Sequence, residues 1–247
     1  MLMFKPNLWQ IPTIPHDVQQ QLAHKSEILI ERLKQIAERH QAAKFASSLA
    51  VEDMLITDLI VKCGIRIEVF TLNTGRLNPE TLALLEQVEQ HYPTLTLQRY
   101  FPQAAAVQAY VHTQGKNAFY DGVEQRQQCC FIRKVEPLNR ALQAADAWLS
   151  GQRREQSLTR TELPFSERDQ ARRIAKYNPI FDWSERDVWA YILRHQVPYN
   201  RLYQQGYPSI GCEPCTRAVK VDEDIRAGRW WWENKDSKEC GLHTQSV

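Results

Sequence analysis

The sequence predicts an α/β fold, with a mainly parallel sheet flanked by helices. Three observations carry that reading. Short runs rich in β-branched and aromatic residues (65–72 and 95–100) alternate with longer stretches of helical periodicity. A strand-like Lys44-Phe45-Ala46 leads through a small polar loop into an apolar helix. At 247 residues, 43% hydrophobic and 24% charged, the chain can bury a full-sized core as one domain.

Taken in order, residues up to about 13 read as a loose arm, with Pro6, Pro12 and Pro15 in or beside it. Over 16–44, Leu22, Ile28, Leu29, Ile30, Leu33 and Ile36 recur at helical spacing among charged residues, as in an exposed amphipathic helix. The loop from Ser47 to Asp53 offers backbone N–H groups and a helix dipole to an anion, although Ser47 or Ser48 as a plain N-cap explains it equally well. Helix resumes over 54–61. The strand at 65–72 ends in the turn Asn73-Thr74-Gly75-Arg76, and a helix with Pro79 near its start covers 79–90. After the strand at 95–100, a helix begins near 107–111. Cys129-Cys130 stands just before the basic pair Arg133-Lys134. A helix over 138–145 and a strand over 146–149 lead to Ser150-Gly151. Residues 174–180 read as strand or loop, Ser184 as the N-cap of a helix over 187–195, and 198–208 as irregular. Ligands of parallel sheets bind beyond the C-terminal strand ends, which is where Ser47–Ala50 and Asn73–Arg76 fall.

Composition narrows the function. A net charge of +2 gives no bulk field for nucleic acid, so anions would be held by local Arg and Lys clusters. No apolar run approaches a membrane span, and the first 13 residues lack a signal-peptide core, so a cytoplasmic protein is expected. In a reducing compartment six cysteines point to metal binding or catalysis rather than disulfides.

Cys129-Cys130 and Cys212-x-x-Cys215 offer four thiolates. They suit a 4Fe-4S cluster, tetrahedral zinc, a redox dithiol at the C-x-x-C alone, or buried packing. The adjacent pair favours the cluster, because zinc sites use spaced pairs. Cys63 reads as a buried packing residue on a helix. Cys240 lies in a polar segment between Lys238 and His243, with Arg226 and Arg229 upstream. Nearby cations lower a thiol's pKa, so Cys240 reads as a nucleophile, against an ordinary exposed thiol. The arginines could bind an anionic substrate bidentately.

Several stretches together resemble the assimilatory adenylylsulfate (APS) reductases, relatives of the phosphoadenylylsulfate (PAPS) reductases. They are Asn73-Thr-Gly-Arg-Leu-Asn-Pro-Glu80, Cys129-Cys-Phe-Ile-Arg-Lys-Val135, Gly151-Gln-Arg-Arg-Glu-Gln-Ser157, Tyr207-Pro-Ser-Ile-Gly-Cys-Glu-Pro-Cys-Thr-Arg217, Arg226-Ala-Gly-Arg-Trp-Trp-Trp232 and Lys238-Glu-Cys-Gly-Leu-His243. The resemblance spans about residues 44–243. It implies an adenine-nucleotide hydrolase-like (ATP pyrophosphatase-like) fold and a thioredoxin-dependent reduction of APS to sulfite and AMP, within sulfate assimilation and cysteine biosynthesis. Cys240 would be the nucleophile and carry an S-sulfo intermediate. Cys129, Cys130, Cys212 and Cys215 would hold a 4Fe-4S cluster, which accompanies use of APS over PAPS. Ser48, Leu72, Lys134, Gly151, Arg160, Arg226, Arg229 and His243 are the implied substrate contacts, with Lys134 coupling cluster charge to the substrate sulfate.

The expected division is an N-terminal arm and helix (1–43), a nucleotide-binding reductase domain with the iron–sulfur site (44–225), and a mobile catalytic tail (226–247) that closes over substrate. Leu49-Ala50-Val51 departs from the family, which often carries a glycine there; the loop's N–H groups are still expected to serve an anion. No thioredoxin-like module follows His243, so thioredoxin is expected as a separate protein, and a homo-oligomer is compatible with the reading. The triple tryptophan reads as packing of the tail onto the body, or as a docking surface for thioredoxin. The rival functions are a PAPS reductase retaining the cluster, an ATP-dependent enzyme of the same fold, and a non-catalytic metal-binding module.

Overall fold

The structure, a computed structural model, describes residues 7–156 and 162–233. Six strands form one sheet: β1 (Ala43–Ala46), β2 (Glu68–Leu72), β3 (Gln98–Tyr100), β4 (Ala147–Leu149), β5 (Ser166–Asp169) and β6 (Ile174–Tyr177). Their order is β3-β2-β1-β4-β6-β5, parallel throughout except where β5 meets β6. The chain leaves β1 towards β2 on one side and returns beside it as β4 on the other. Such a switch point opens a crevice at the carboxyl ends of the strands.

The helices are α1 (His16–Arg39), α2 (Val51–Lys62), α3 (Pro79–His91), α4 (Ala104–Gln114), α5 (Val123–Cys130), α6 (Glu136–Ala141) and α7 (Glu185–Arg194). Helix α1 buries one stripe, Leu22, Leu29, Leu33, Ile36 and Ala37. It stops at Arg39 rather than near 44, because the Asp146 carboxylate accepts the N–H groups of Gln41 and Ala42 and turns the chain into β1. Helix α2 is buried from Val51 to Ile60, as expected of a helix apolar on all sides. Within it Asp58, fully buried, accepts from Tyr92 Oη at 2.8 Å and Tyr191 Oη at 2.6 Å and pairs with Lys62. These bonds tie α2 to the end of α3 and to α7. Ser184 caps α7 in a reciprocal capping box with Asp187.

Several expectations are corrected. The arm is not loose from residue 7 onward: Trp9 N–H donates to Val219 O at 3.0 Å, and its ring packs against Trp189 and Tyr203. Neither Ser47 nor Ser48 caps α2; that position is Ala50, with no side-chain cap. Strand β5 was not foreseen, because its Ser-Glu-Arg-Asp sequence is that of a charged edge strand with few β-branched residues. Cys63 is exposed at the C-terminal end of α2, so packing does not explain it. The helix α5 that ends in Cys129 and Cys130 was not foreseen, and a single π-helical turn (Phe131–Val135) runs on from it into α6. Among the described residues no helix is long and apolar enough to cross a membrane.

Tyr191→Phe removes one donor from a carboxylate that water does not reach. It is expected to lower folding stability by about 1–3 kcal/mol, read from urea unfolding.

Candidate active site

At the carboxyl ends of β1, β2 and β4 lies a cavity of about 240 Å³. Ser48, Leu72, Lys134, Gly151, Arg226 and Arg229 all line it, so six of the predicted contacts meet at one place. Arg160, Cys240 and His243 lie outside the described residues.

The wall formed by the start of α2 is acidic and tightly bonded. Asp53 Oδ2 accepts from Ser48 N–H at 2.6 Å and from Ser48 Oγ at 2.5 Å, and the Gly151 N–H donates to the same carboxyl. One side chain therefore joins the loop after β1 to the loop after β4. Gly151 is required by that closeness, since a Cβ there would stand 2.1 Å from Asp53 Oδ1. Burial raises the Asp53 pKa to about 7, against the opposing Ser48 hydrogen bonds. Beside it, Glu52 Oε1 accepts from Arg153 Nε, Arg153 Nη2 and Gln156 Nε2 at 2.9–3.1 Å.

This argues against the anion-binding role expected of the loop. The N–H groups of Ser47, Ser48, Leu49, Ala50 and Val51 go to Phe70 O, Asp53, Ser47 Oγ, Ser48 Oγ and Tyr203 Oη. With those five donors engaged and two carboxyl groups adjacent, the loop is a poor cradle for a phosphate. Leu49 occupies the left-handed region at φ 63°, where glycine would sit without strain.

The opposite wall is cationic. Arg229 is 8% exposed, and its Nε is buried without a hydrogen-bond partner. Its hydrogen bonds to Ser209 Oγ and Ile210 O are long at 3.4 Å, and no carboxylate pairs with it among the described residues. Gly211 makes room for it, because a Cβ there would lie 2.5 Å from Arg229 Nη2. A desolvated guanidinium without a counter-charge is a ready site for an anion.

Behind that wall lies a second, smaller cavity lined by Cys129, Cys130, Cys212 and Cys215. Lys134, Cys212, Arg229 and Trp230 line both cavities. Phe119 and Trp230 pack with the cysteines, and Trp232 joins them against Phe119 and Tyr120, while Trp231 is 39% exposed. Packing onto the body therefore explains Trp230 and Trp232, and Trp231 packs edge-on to Tyr120 while staying partly exposed. Among the described residues no three His, Cys, Asp or Glu side chains stand close enough to share one metal ion. Burial pushes the Cys215 thiol up to about 12, and Lys134 and Arg229 oppose the rise. Burial also raises Cys129, with Arg133 opposing.

Two residues here were not foreseen. Thr74 Oγ1 shares a 3.3 Å hydrogen bond with Cys212 Sγ. Arg133 donates to Thr74 O at 2.8 Å and to Cys129. Arg133 was visible in the sequence only as the neighbour of Lys134; the π-helical turn separates their directions, putting Arg133 in the interior and Lys134 at the cavity.

The sequence pattern of the phosphoadenosine phosphosulfate reductase domain matches residues 42–218. The chain belongs to this family. An adenosine 5'-phosphosulfate reductase of Neisseria meningitidis serogroup A is 61% identical over 98% of this chain and 100% of that protein. The protein of the same name from Allochromatium vinosum is 55% identical over 87% of this chain and 83% of its own length. Among solved structures, a phosphoadenylyl-sulfate reductase from Candida auris in a phosphate complex aligns with a TM-score of 0.68 at 25% identity, over 85% of this chain and all of that one. An NMN synthetase from Francisella tularensis shares the fold, with a TM-score of 0.52 at 13% identity over 72% of this chain and 71% of that one. The adenine-nucleotide hydrolase-like fold expected of a family member is the fold observed.

Because the pKa of Asp53 is raised in the folded state, its contribution to stability is complete below the unfolded value near 3.8 and is lost as the pH rises through about 7. Asp53→Asn is expected to flatten that part of the profile, measured as urea midpoints across the same range.

Proposed function

We propose that this chain reduces adenosine 5'-phosphosulfate to sulfite and AMP, with a separate dithiol protein of the thioredoxin type as reductant. The observation that carries the reading is the buried Arg229, which has no carboxylate partner among the described residues, set beside Lys134 between a nucleotide-sized cavity and four cysteines. The names of the close relatives support the same substrate.

The two-walled cavity sorts a substrate that is anionic at one end and rich in hydroxyl groups at the other. The sulfate and phosphate belong with Lys134, Arg226 and Arg229. Ser48, Leu72 and Gly151 border the end where Glu52 and Asp53 can accept from hydroxyl groups. The Cys240 thiolate attacks the sulfur, and the bond from sulfur to the phosphate oxygen breaks with its electron pair. AMP leaves and Cys240 carries an S-sulfo group. The cations lower the repulsion between thiolate and sulfate and stabilise the departing phosphate. A thiolate of the reductant then attacks Cys240 Sγ and displaces sulfite, and its second thiol resolves the mixed disulfide. Arg160 and His243 are assigned to the same anionic end from their motifs alone.

Cys129, Cys130, Cys212 and Cys215 would hold a 4Fe-4S cluster. Three buried thiols and the half-buried Cys129 around a common space, rather than a single point, suit a group wider than one ion. When bound, it adds local charge next to Lys134 and Arg229. The family's pattern also covers PAPS reduction, so relative turnover of APS and PAPS by the purified enzyme is the direct comparison of substrates.

Mixing the enzyme with APS and no reductant is expected to give one SO3 adduct in intact-mass spectra, located on Cys240 and absent from Cys240→Ser. Absence of the adduct from the wild-type chain would sink the reading. Lys134→Ala is expected to slow adduct formation by at least about tenfold while iron content stays unchanged.

A further inference from the structure

The segment that leads to Cys240 is fastened to the cysteine site by a buried ion pair that the chemistry above does not use. Arg126 lies on α5, three and four residues before Cys129 and Cys130, and therefore on their side of the helix. Its Nε donates to Glu233 Oε1 and its Nη2 to Glu233 Oε2, both at 2.9 Å. The two side chains are 1% and 3% exposed. The Arg126 guanidinium also sits 4.8 Å from the centre of the Trp230 ring, with Arg229 at 4.7 Å from the same ring.

The backbone between is held in an unusual shape. Trp230 has φ 42°, a conformation that a bulky residue adopts only where its surroundings impose it. Trp230 N–H donates to Cys215 O, Arg217 N–H donates to Gly228 O, and Thr216 bridges Arg229. Residues 228–233 are thus bound to the C-x-x-C loop on one side and to the Cys129-Cys130 helix on the other. General packing would not need a bidentate charge pair there. Burying two charges is costly, whereas a two-pronged fork fixes direction as an apolar contact cannot.

We infer that the Arg126–Glu233 fork positions the catalytic segment: it fixes Glu233, seven residues before Cys240 in sequence, and so limits how that thiol can meet the substrate. Seven extended residues span at most about 25 Å, so a displaced root shifts everything the thiol can reach. Arg126 and two of the cysteines share one helix. Glu233 is therefore tied to the helix that carries Cys129 and Cys130. Arg126 is a positioning residue, not a catalytic one. The inference rests on the reading of Cys240 as the nucleophile.

The test uses the full-length, iron-loaded enzyme. The double variant Arg126→Met, Glu233→Leu replaces the pair with apolar side chains, a change that often preserves stability. Arg126→Lys keeps the charge and loses the fork. Each is compared with wild type for melting temperature, iron content, AMP affinity, single-turnover labelling of Cys240 by APS, and tryptic cleavage after Lys235 and Lys238 with AMP present. The double variant is expected to keep wild-type melting, iron and AMP affinity, yet label Cys240 at least about tenfold more slowly. Arg126→Lys should fall between, and cleavage should be faster in both. Wild-type labelling in the double variant would overturn the inference. Should the wild-type enzyme itself form no adduct, the functional reading has failed instead, and cleavage decides the anchor: unchanged cleavage overturns it and faster cleavage supports it. If the double variant does not fold, Glu233→Gln with Arg126→Lys carries the same comparison, with the same two outcomes.

Discussion

A cation cannot stay buried without an opposite charge near it, and Arg229 is the place where this constraint shapes the molecule. Its guanidinium is almost wholly desolvated, fits only because Gly211 has no side chain, and stands between two cavities. One cavity can offer it the sulfate or phosphate of a nucleotide, and the other the thiolates of four cysteines. Lys134 shares the position from the opposite element. In the proposed function, the substrate site and the sulfur site are therefore not two features placed side by side. They are the two sides of one positive wall, and a change of charge on either side is felt on the other.

The acidic wall does a different task. By accepting from Ser48 and Gly151, Asp53 fixes the relative position of two loops that leave different strands. Glu52 does the same for Arg153 and Gln156. The loop that in sequence resembles a phosphate cradle thus spends five of its donors on internal bonds. In the proposed function, anion binding falls to the side chains of the opposite wall. The cavity gains polarity from this division, with hydroxyl-accepting groups at one end and cations at the other.

Much of the fold was legible because its signals are local. Helical spacing marked α1, proline marked the start of α3, and Ser184 with Asp187 marked α7. Ser48, Leu72 and Gly151 meet in the cavity because loops at parallel strand ends converge where the strand order reverses, and Lys134, Arg226 and Arg229 join them from outside the sheet. What was misread depended on distant partners. Trp9 pins the arm by packing on Trp189 and Tyr203, nearly two hundred residues away in sequence. The edge strand β5 exists only because β6 offers it a free edge. Cys63, in an apolar run, ends exposed because α2 terminates there.

The sequence by itself determined the alternation of strand and helix, the motifs that bring in the cysteines, and the kinds of side chain available for chemistry. These follow from spacing and residue type, which are written along the chain. Only the tertiary structure decided which charges face each other: that Arg133 turns inward while Lys134 faces the cavity, that Asp53 takes up donors of the loop after β1, and that Arg126 grips Glu233 across 107 residues. Those outcomes depend on which groups lose water together. Desolvation belongs to the packed molecule and not to any one segment of it.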